Sequence, residues 1–105
     1  MRELSVTEIT AAVRRLCISA NTHLPQDVRD ALEQMRSRET WPTAQTILDT
    51  IIENYQIADT NEVPICQDTG MACVFLEIGQ DVHLVDGDLR EAVDEGVRQG
   101  YKDGY

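Results

Sequence analysis

The sequence has few basic residues for its length. Its 105 residues include nine Lys and Arg against nineteen Asp and Glu, which gives a formal charge of −10 at pH 7. This excess of negative charge argues against nucleic acid or an anionic membrane surface as a partner. The hydrophobic share of 42% is ordinary for a globular chain, and the length suits one small domain.

Long apolar segments are also missing. The longest uninterrupted apolar run, residues 71–76, is far too short to cross a bilayer. Arg2, Glu3 and Glu8 interrupt the start of the chain, so no signal peptide is predicted. Three cysteines without paired spacing do not make a disulfide framework. We therefore expect a protein of the reducing cytoplasm, with no membrane partner.

Apolar residues recur at helical spacing in the first half of the chain. The first helix is predicted over residues 6–20, behind the capping-box pattern that runs from Ser5 to Glu8. A second helix has Pro25 in its first turn and ends near Arg38. A third follows residues 40–43 and continues to about Ala58.

The second half of the chain contains apolar segments typical of strands as well as a helix. Residues 71–78 are apolar on both faces and predict a buried strand, and residues 82–85 predict a second short strand after a turn at 79–81. A final helix follows residues 86–88. The predicted fold class is therefore α+β in one domain, with three helices packed together, a short strand or hairpin, and a final helix.

The final helix carries glycines four residues apart, at Gly96, Gly100 and Gly104. Each costs about 1 kcal/mol relative to Ala inside a helix, but together they allow another backbone to approach closely. The apolar positions predicted to be buried on this helix are Leu89, Ala92, Val93, Val97 and Tyr101. The sequence stops at Tyr105 without a capping pattern, so we expect a piece of a longer protein.

The residues best suited to chemistry lie in the loop from Val63 to Gly70. Pro64 fixes its own φ and Gly70 allows a sharp turn, so the loop is stiff at both ends. A thiolate from Cys66 could bind a metal, and Asp68 could act as an acid–base group. The structural alternatives are a thiol that only packs and, for the carboxylate, an Asx-turn. The other two cysteines, Cys17 and Cys73, fit the pattern of small buried hydrophobic residues.

The heptapeptide Pro64–Gly70, Pro-Ile-Cys-Gln-Asp-Thr-Gly, resembles the signature near the start of the iron–sulfur-dependent hydro-lyases. These are the class I fumarases and the α chains of L(+)-tartrate dehydratases. The likeness extends to Ala20–Pro25, to Pro42–Ala44 before the third helix, and to Glu91–Tyr101. It covers nearly the whole chain in register.

The resemblance implies a four-iron four-sulfur cluster held by three cysteines, with one iron open as a Lewis acid. Cys66 matches the first cluster ligand. Gln67 and Asp68 match substrate-binding positions, and Asp68 is similar to the proposed general acid. The implied reaction is the reversible hydration of fumarate to malate, a step of the tricarboxylic acid cycle. Tartrate dehydration is the alternative, although the match outside the loop favours fumarase.

The resemblance also implies partners. They are a small dicarboxylate substrate, the rest of the α chain, and a β subunit or C-terminal domain. The remaining cluster ligands and the catalytic base would lie beyond residue 105, so we expect the isolated piece to be inactive and without an intact cluster. Apolar patches at residues 64–76 and on the last helix would be exposed and would favour a homo-oligomer. A different class of function stays open: an acidic interaction module whose glycine-lined last helix docks a partner.

Overall fold

A computed structural model describes residues 1–66 and 71–104 of the chain, and the predicted α+β class is confirmed in them. The four predicted helices are present, and two short strands pair with each other. None of the described helices is long and apolar enough to span a bilayer. In chain order the elements are β1 (Arg2–Ser5), α1 (Val6–Thr22), α2 (Gln26–Arg38), α3 (Pro42–Asn61), β2 (Val82–Val85) and α4 (Leu89–Asp103).

Local sequence signals set the helix boundaries. Helix α2 starts after Pro25, and α3 starts with Pro42 at its first position, where a missing N–H costs nothing. Helix α4 starts directly after its N-cap residue Asp88, whose side chain accepts a hydrogen bond from the Glu91 N–H at 3.1 Å. Each start therefore follows from a residue type that suits a helix N-terminus.

The described residues form two compact units. One comprises residues 1–19 and 71–104, and therefore contains both strands, most of α1, and α4. The other comprises residues 20–66 and contains α2, α3 and the start of the loop after α3. Each unit has its own packing.

In the first unit the two strands pair in parallel. Arg2 lies opposite Val82 and Ser5 lies opposite Val85. The second predicted strand, residues 82–85, is therefore confirmed, but its partner is the start of the chain rather than residues 71–78. The predicted hairpin is wrong.

Helix α4 packs against α1 through its glycines. A Cβ atom added at Gly96 would lie 2.7 Å from Val13 Cβ and 2.8 Å from the Thr10 carbonyl oxygen. One added at Gly100 would lie 2.7 Å from Cys17 Cβ. The buried residues of α4 are Ala92 and these two glycines, whereas Leu89, Val93 and Val97 are only half-buried and Tyr101 is exposed. The glycines thus permit a close helix approach, as the sequence predicted, and the surface they form is occupied by α1.

Residues 71–78 do not form the predicted strand, which is the main error in the fold prediction. They have no regular secondary structure and all are exposed, with Phe75 at 93% and Met71 at 83% of their full accessibility. A strand that is apolar on both faces needs covering layers on both sides, and no described element covers this segment. Cys73 is therefore exposed, not the buried small residue that was predicted. An exposed apolar patch was expected at residues 64–76, and residues 71–76 of that range are exposed.

The second unit packs α2 against α3. Tyr55 and Ala58 of α3 are its buried apolar residues, and the Arg29 guanidinium lies 5.3 Å from the centre of the Tyr55 ring. The Tyr55 hydroxyl donates to Glu33 Oε1 at 3.1 Å. Helix α2 has no buried residue, and its apolar side chains Val28 and Met35 are exposed. The amphipathic pattern located this helix correctly but overstated how deeply it is buried.

Candidate functional site

The cysteine loop begins where α3 ends. The helix closes on Glu62, which adopts the left-handed conformation with φ of 52°. This turn lets the Val63 N–H reach back to the Ala58 carbonyl at 3.2 Å, a pattern typical of helix C-termini. The chain therefore leaves α3 in a fixed direction rather than as a loose tail.

The next residues are held from two helices. The Ile65 N–H donates to the Asn21 carbonyl near the end of α1 at 2.7 Å. The Cys66 N–H donates to the Asn54 side-chain oxygen Oδ1 on α3 at 2.9 Å. Because Pro64 has no N–H, every backbone donor of residues 63–66 has an acceptor. The N–H groups of this segment are thus all bonded although the segment is a loop.

Cys66 itself is a free, exposed cysteine. A thiolate is the ligand type that holds iron–sulfur clusters, and a metal ligand must be accessible to the metal. Cys66 supplies a sulfur atom that is accessible from solvent, so its residue type and exposure fit the role of a cluster ligand. Within residues 1–66 and 71–104 no three His, Cys, Asp or Glu side chains are grouped closely enough to hold a metal ion. Any such site must therefore take ligands from outside this part of the chain.

The other predicted site residues, Gln67 and Asp68, lie outside the described residues. The structure consequently locates one of the three predicted site residues and leaves the roles of the other two as predictions. The thiol of Cys17 belongs to the other unit and packs below Gly100 of α4. Burial raises the pKa of this thiol, because an apolar environment disfavours the thiolate. Cys17 is therefore a packing residue, as the sequence predicted.

A polar cluster joins the start of α2 to the end of α3, and no sequence pattern indicated it. Asp59 accepts hydrogen bonds on Oδ1 from His23 Nδ1 and from Arg29 Nη2, the latter at 2.8 Å. Arg29 Nε also donates to the Leu24 carbonyl at 3.1 Å. Residues so far apart in sequence carry no local pattern that would announce their contact.

The hydrogen bond from His23, and next the one from Arg29, hold the pKa of Asp59 below its ordinary value. A carboxyl group whose pKa is lowered by folding stabilises the protein above its unfolded pKa of about 4, and this is lost as the pH falls through the lower folded pKa. Asp59→Asn should therefore unfold at lower urea concentration than the wild type at about pH 7, and the gap should narrow below about pH 4.

Urea midpoints at several pH values measure this gap. The exposed Asp94 offers a matched control on α4, since Asp94→Asn removes a charge without removing a described bond. A gap between wild type and Asp59→Asn that stays constant down to about pH 2 would contradict the assignment.

Comparisons with known proteins show which family and which relatives the chain is similar to. The family whose sequence profile matches residues 10–105 is described as "Fumarate hydratase (Fumerase)". The "Putative L(+)-tartrate dehydratase subunit alpha" of Methanocaldococcus jannaschii is 38% identical over 93 residues, which is 88% of this chain and 33% of that protein. The L(+)-tartrate dehydratase subunit alpha of Escherichia coli K12 is 30% identical over 98 residues, 93% of this chain and 32% of that protein.

A third relative, the "Putative fumarate hydratase class I" of Geobacillus stearothermophilus, is 35% identical over 91 residues. The alignment covers 86% of this chain and 17% of that protein. The chain thus spans about a third or less of the length of the curated relatives that it matches.

Proposed function

Because the chain belongs to the fumarate hydratase (Fumerase) family, we propose that it is the N-terminal part of a hydro-lyase that reversibly hydrates fumarate to malate. The observation that carries this proposal is the match over residues 10–105, which includes the loop with the exposed Cys66 thiol. A specific observation also supports L(+)-tartrate as the substrate: two of the relatives above are named as tartrate dehydratase alpha subunits.

Three residues of this chain act at the proposed site. Cys66 would supply one thiolate ligand to a four-iron four-sulfur cluster. When bound, such a cluster supplies a Lewis acid that weakens the C–OH bond of a 2-hydroxy acid. Gln67 and Asp68 contact the diacid, and Asp68 holds the proton that is delivered to the departing hydroxyl. These roles rest on the resemblance of residues 64–70 to the family signature.

The rest of the site comes from other segments in this proposal. Arg29 and Arg36 of the second unit already pair with Asp59 and Asp49. In this proposal the cations for the two carboxylates of the substrate come from the remainder of the α chain or from a β subunit or C-terminal domain. The same segments would supply two more cysteines and the base. The exposed apolar run at residues 71–78 is a suitable surface for such a partner segment to cover.

The packing of α4 argues against the interaction module that the sequence left open. That hypothesis used the glycines of the last helix as a docking surface for another protein. The space beside Gly96 and Gly100 is instead occupied by Val13 and Cys17 of α1. The surface on which the hypothesis depended is occupied within this chain.

The proposal is tested with the complete enzyme that contains this chain, reconstituted with iron and sulfide without oxygen. We expect it to hydrate fumarate with a kcat/KM at least about tenfold above that for L(+)-tartrate dehydration. The 105-residue chain alone should give neither activity nor stable cluster absorbance. The reverse substrate preference would establish the tartrate alternative, and turnover of neither diacid by a cluster-loaded enzyme would refute both.

A further inference from the structure

The backbone at Cys66 is fixed although its side chain is exposed. An exposed thiol has no packing contacts that would hold it in one direction. The peptide groups below it are held by three hydrogen bonds, from the N–H groups of Val63, Ile65 and Cys66. Two of the acceptors are backbone carbonyls, of Ala58 and Asn21, which almost any side chain at those positions would preserve. The third acceptor is the side chain of Asn54.

We propose that Asn54 is a positioning residue, which sets the direction of the Cys66 thiol by holding the backbone N–H of Cys66. The inference rests on the proposed function, because it takes Cys66 to be a metal ligand. Asn54 lies on α3 and is half-buried beside the buried Tyr55, so its side chain starts from a rigid element. The Asn54 oxygen Oδ1 accepts the hydrogen bond at 2.9 Å from the backbone N–H of Cys66, whose nitrogen is bonded directly to the Cys66 Cα.

The chemistry of this contact resembles the outer contacts of known metal sites. Groups that hold a ligand residue without touching the metal fix the direction of the ligand, and their loss typically lowers metal affinity or activity about 10–100-fold. A neutral amide supplies an acceptor without adding negative charge beside a thiolate. Holding the Cys66 N–H requires only an acceptor oxygen at the same distance from the α3 backbone. An aspartate at position 54 should therefore retain the hydrogen bond, whereas an apolar side chain should not.

The first experiment measures amide hydrogen exchange by NMR in the 105-residue chain. In Asn54→Leu, which keeps the side-chain size but removes the acceptor, the Cys66 amide should exchange about tenfold faster than in the wild type. The amides of Val63 and Ile65 should keep their protection, since their acceptors are untouched. Asn54→Asp should restore slow exchange at Cys66. Gln56→Leu, an exposed amide on the same helix, is the matched control and should change none of the three.

Two outcomes of this experiment overturn the inference. One is unchanged exchange at Cys66 in Asn54→Leu. The other is simultaneous loss of protection at all three amides in both Asn54→Leu and Asn54→Ala, which would make Asn54 a residue of general structural stability. Selective loss at Cys66 in either variant supports the positioning role.

The second experiment separates this inference from the proposed function. In the complete reconstituted enzyme, release of iron to a chelator should be about 10–100-fold faster in Asn54→Leu than in the wild type and should slow again in Asn54→Asp. If Cys66→Ser holds its cluster like the wild type, the ligand assignment itself fails. If Cys66→Ser loses the cluster while Asn54→Leu releases iron at the wild-type rate, only the positioning role fails.

Discussion

Cys66→Ser should abolish cluster assembly in the complete enzyme and lower its activity more than about 100-fold. Replacing a residue that only orients a ligand already costs about 10–100-fold, so losing the ligand atom should cost more. A serine hydroxyl is a harder and much less acidic ligand than a thiol, so it binds the iron of an iron–sulfur cluster much more weakly than a thiolate does. The substitution changes one atom on an exposed side chain, so folding should be unaffected.

Iron and sulfide content, cluster absorbance and turnover are the three measurements. Cys73→Ser is a matched control, because Cys73 is also a free and exposed thiol on a segment without regular structure. It should assemble the cluster and turn over like the wild type. Normal cluster content and turnover in Cys66→Ser would falsify the assignment of this thiol.

Gly96→Ala combined with Gly100→Ala should remove about 3 kcal/mol from the free energy of unfolding of the first unit. Helix propensity favours each alanine by about 1 kcal/mol. Steric overlap with α1 opposes this gain in stability. At Gly96 the new Cβ would lie 2.8 Å from the carbonyl oxygen of Thr10, a backbone atom that cannot rotate away. Overpacking of this kind typically costs 1–3 kcal/mol and occasionally more.

The overlap should therefore exceed the gain in propensity, with about 2 kcal/mol lost for Gly96→Ala alone. The double variant should lose less than the sum of the singles, because once α4 has moved away from α1 the second Cβ meets less resistance. Urea unfolding followed by circular dichroism measures these differences.

Gly79→Ala is the control for these glycine substitutions. A Cβ at this position would lie 3.8 Å from Val82 Cγ2, an ordinary contact. Its unfolding free energy should stay within about 0.5 kcal/mol of the wild type. A Gly96→Ala variant that is more stable than the wild type would show that propensity, not close packing, governs this helix pair.

The sequence predicted what depends on local pattern. Helical periodicity and end signals located all four helices, and the spacing of Gly96 and Gly100 predicted the close approach of another backbone. Strand β1 was missed because Arg2–Ser5 is too short to show an alternating pattern, and its pairing with β2 depends on residues far along the chain. Residues 71–78 were assigned wrongly because an apolar run indicates a strand only when something covers it.

The sequence likewise predicted only part of the candidate site. The residue types in the loop identified Cys66, and the structure adds that every backbone donor of residues 63–66 is bonded. Asn54 was not predicted, because an asparagine inside an amphipathic helix looks like any polar surface position. Its contact with Cys66 exists only after the chain has turned at Glu62.

The parallel pairing of Arg2–Ser5 with Val82–Val85 has a consequence for biosynthesis. Residues 2–5 must wait until residues 82–85 have been made before they gain their hydrogen bonds, whereas α2 and α3 are neighbours in sequence and can associate at once. The order of translation and the order of folding are therefore different here, because an early segment is completed by one that is made some eighty residues later.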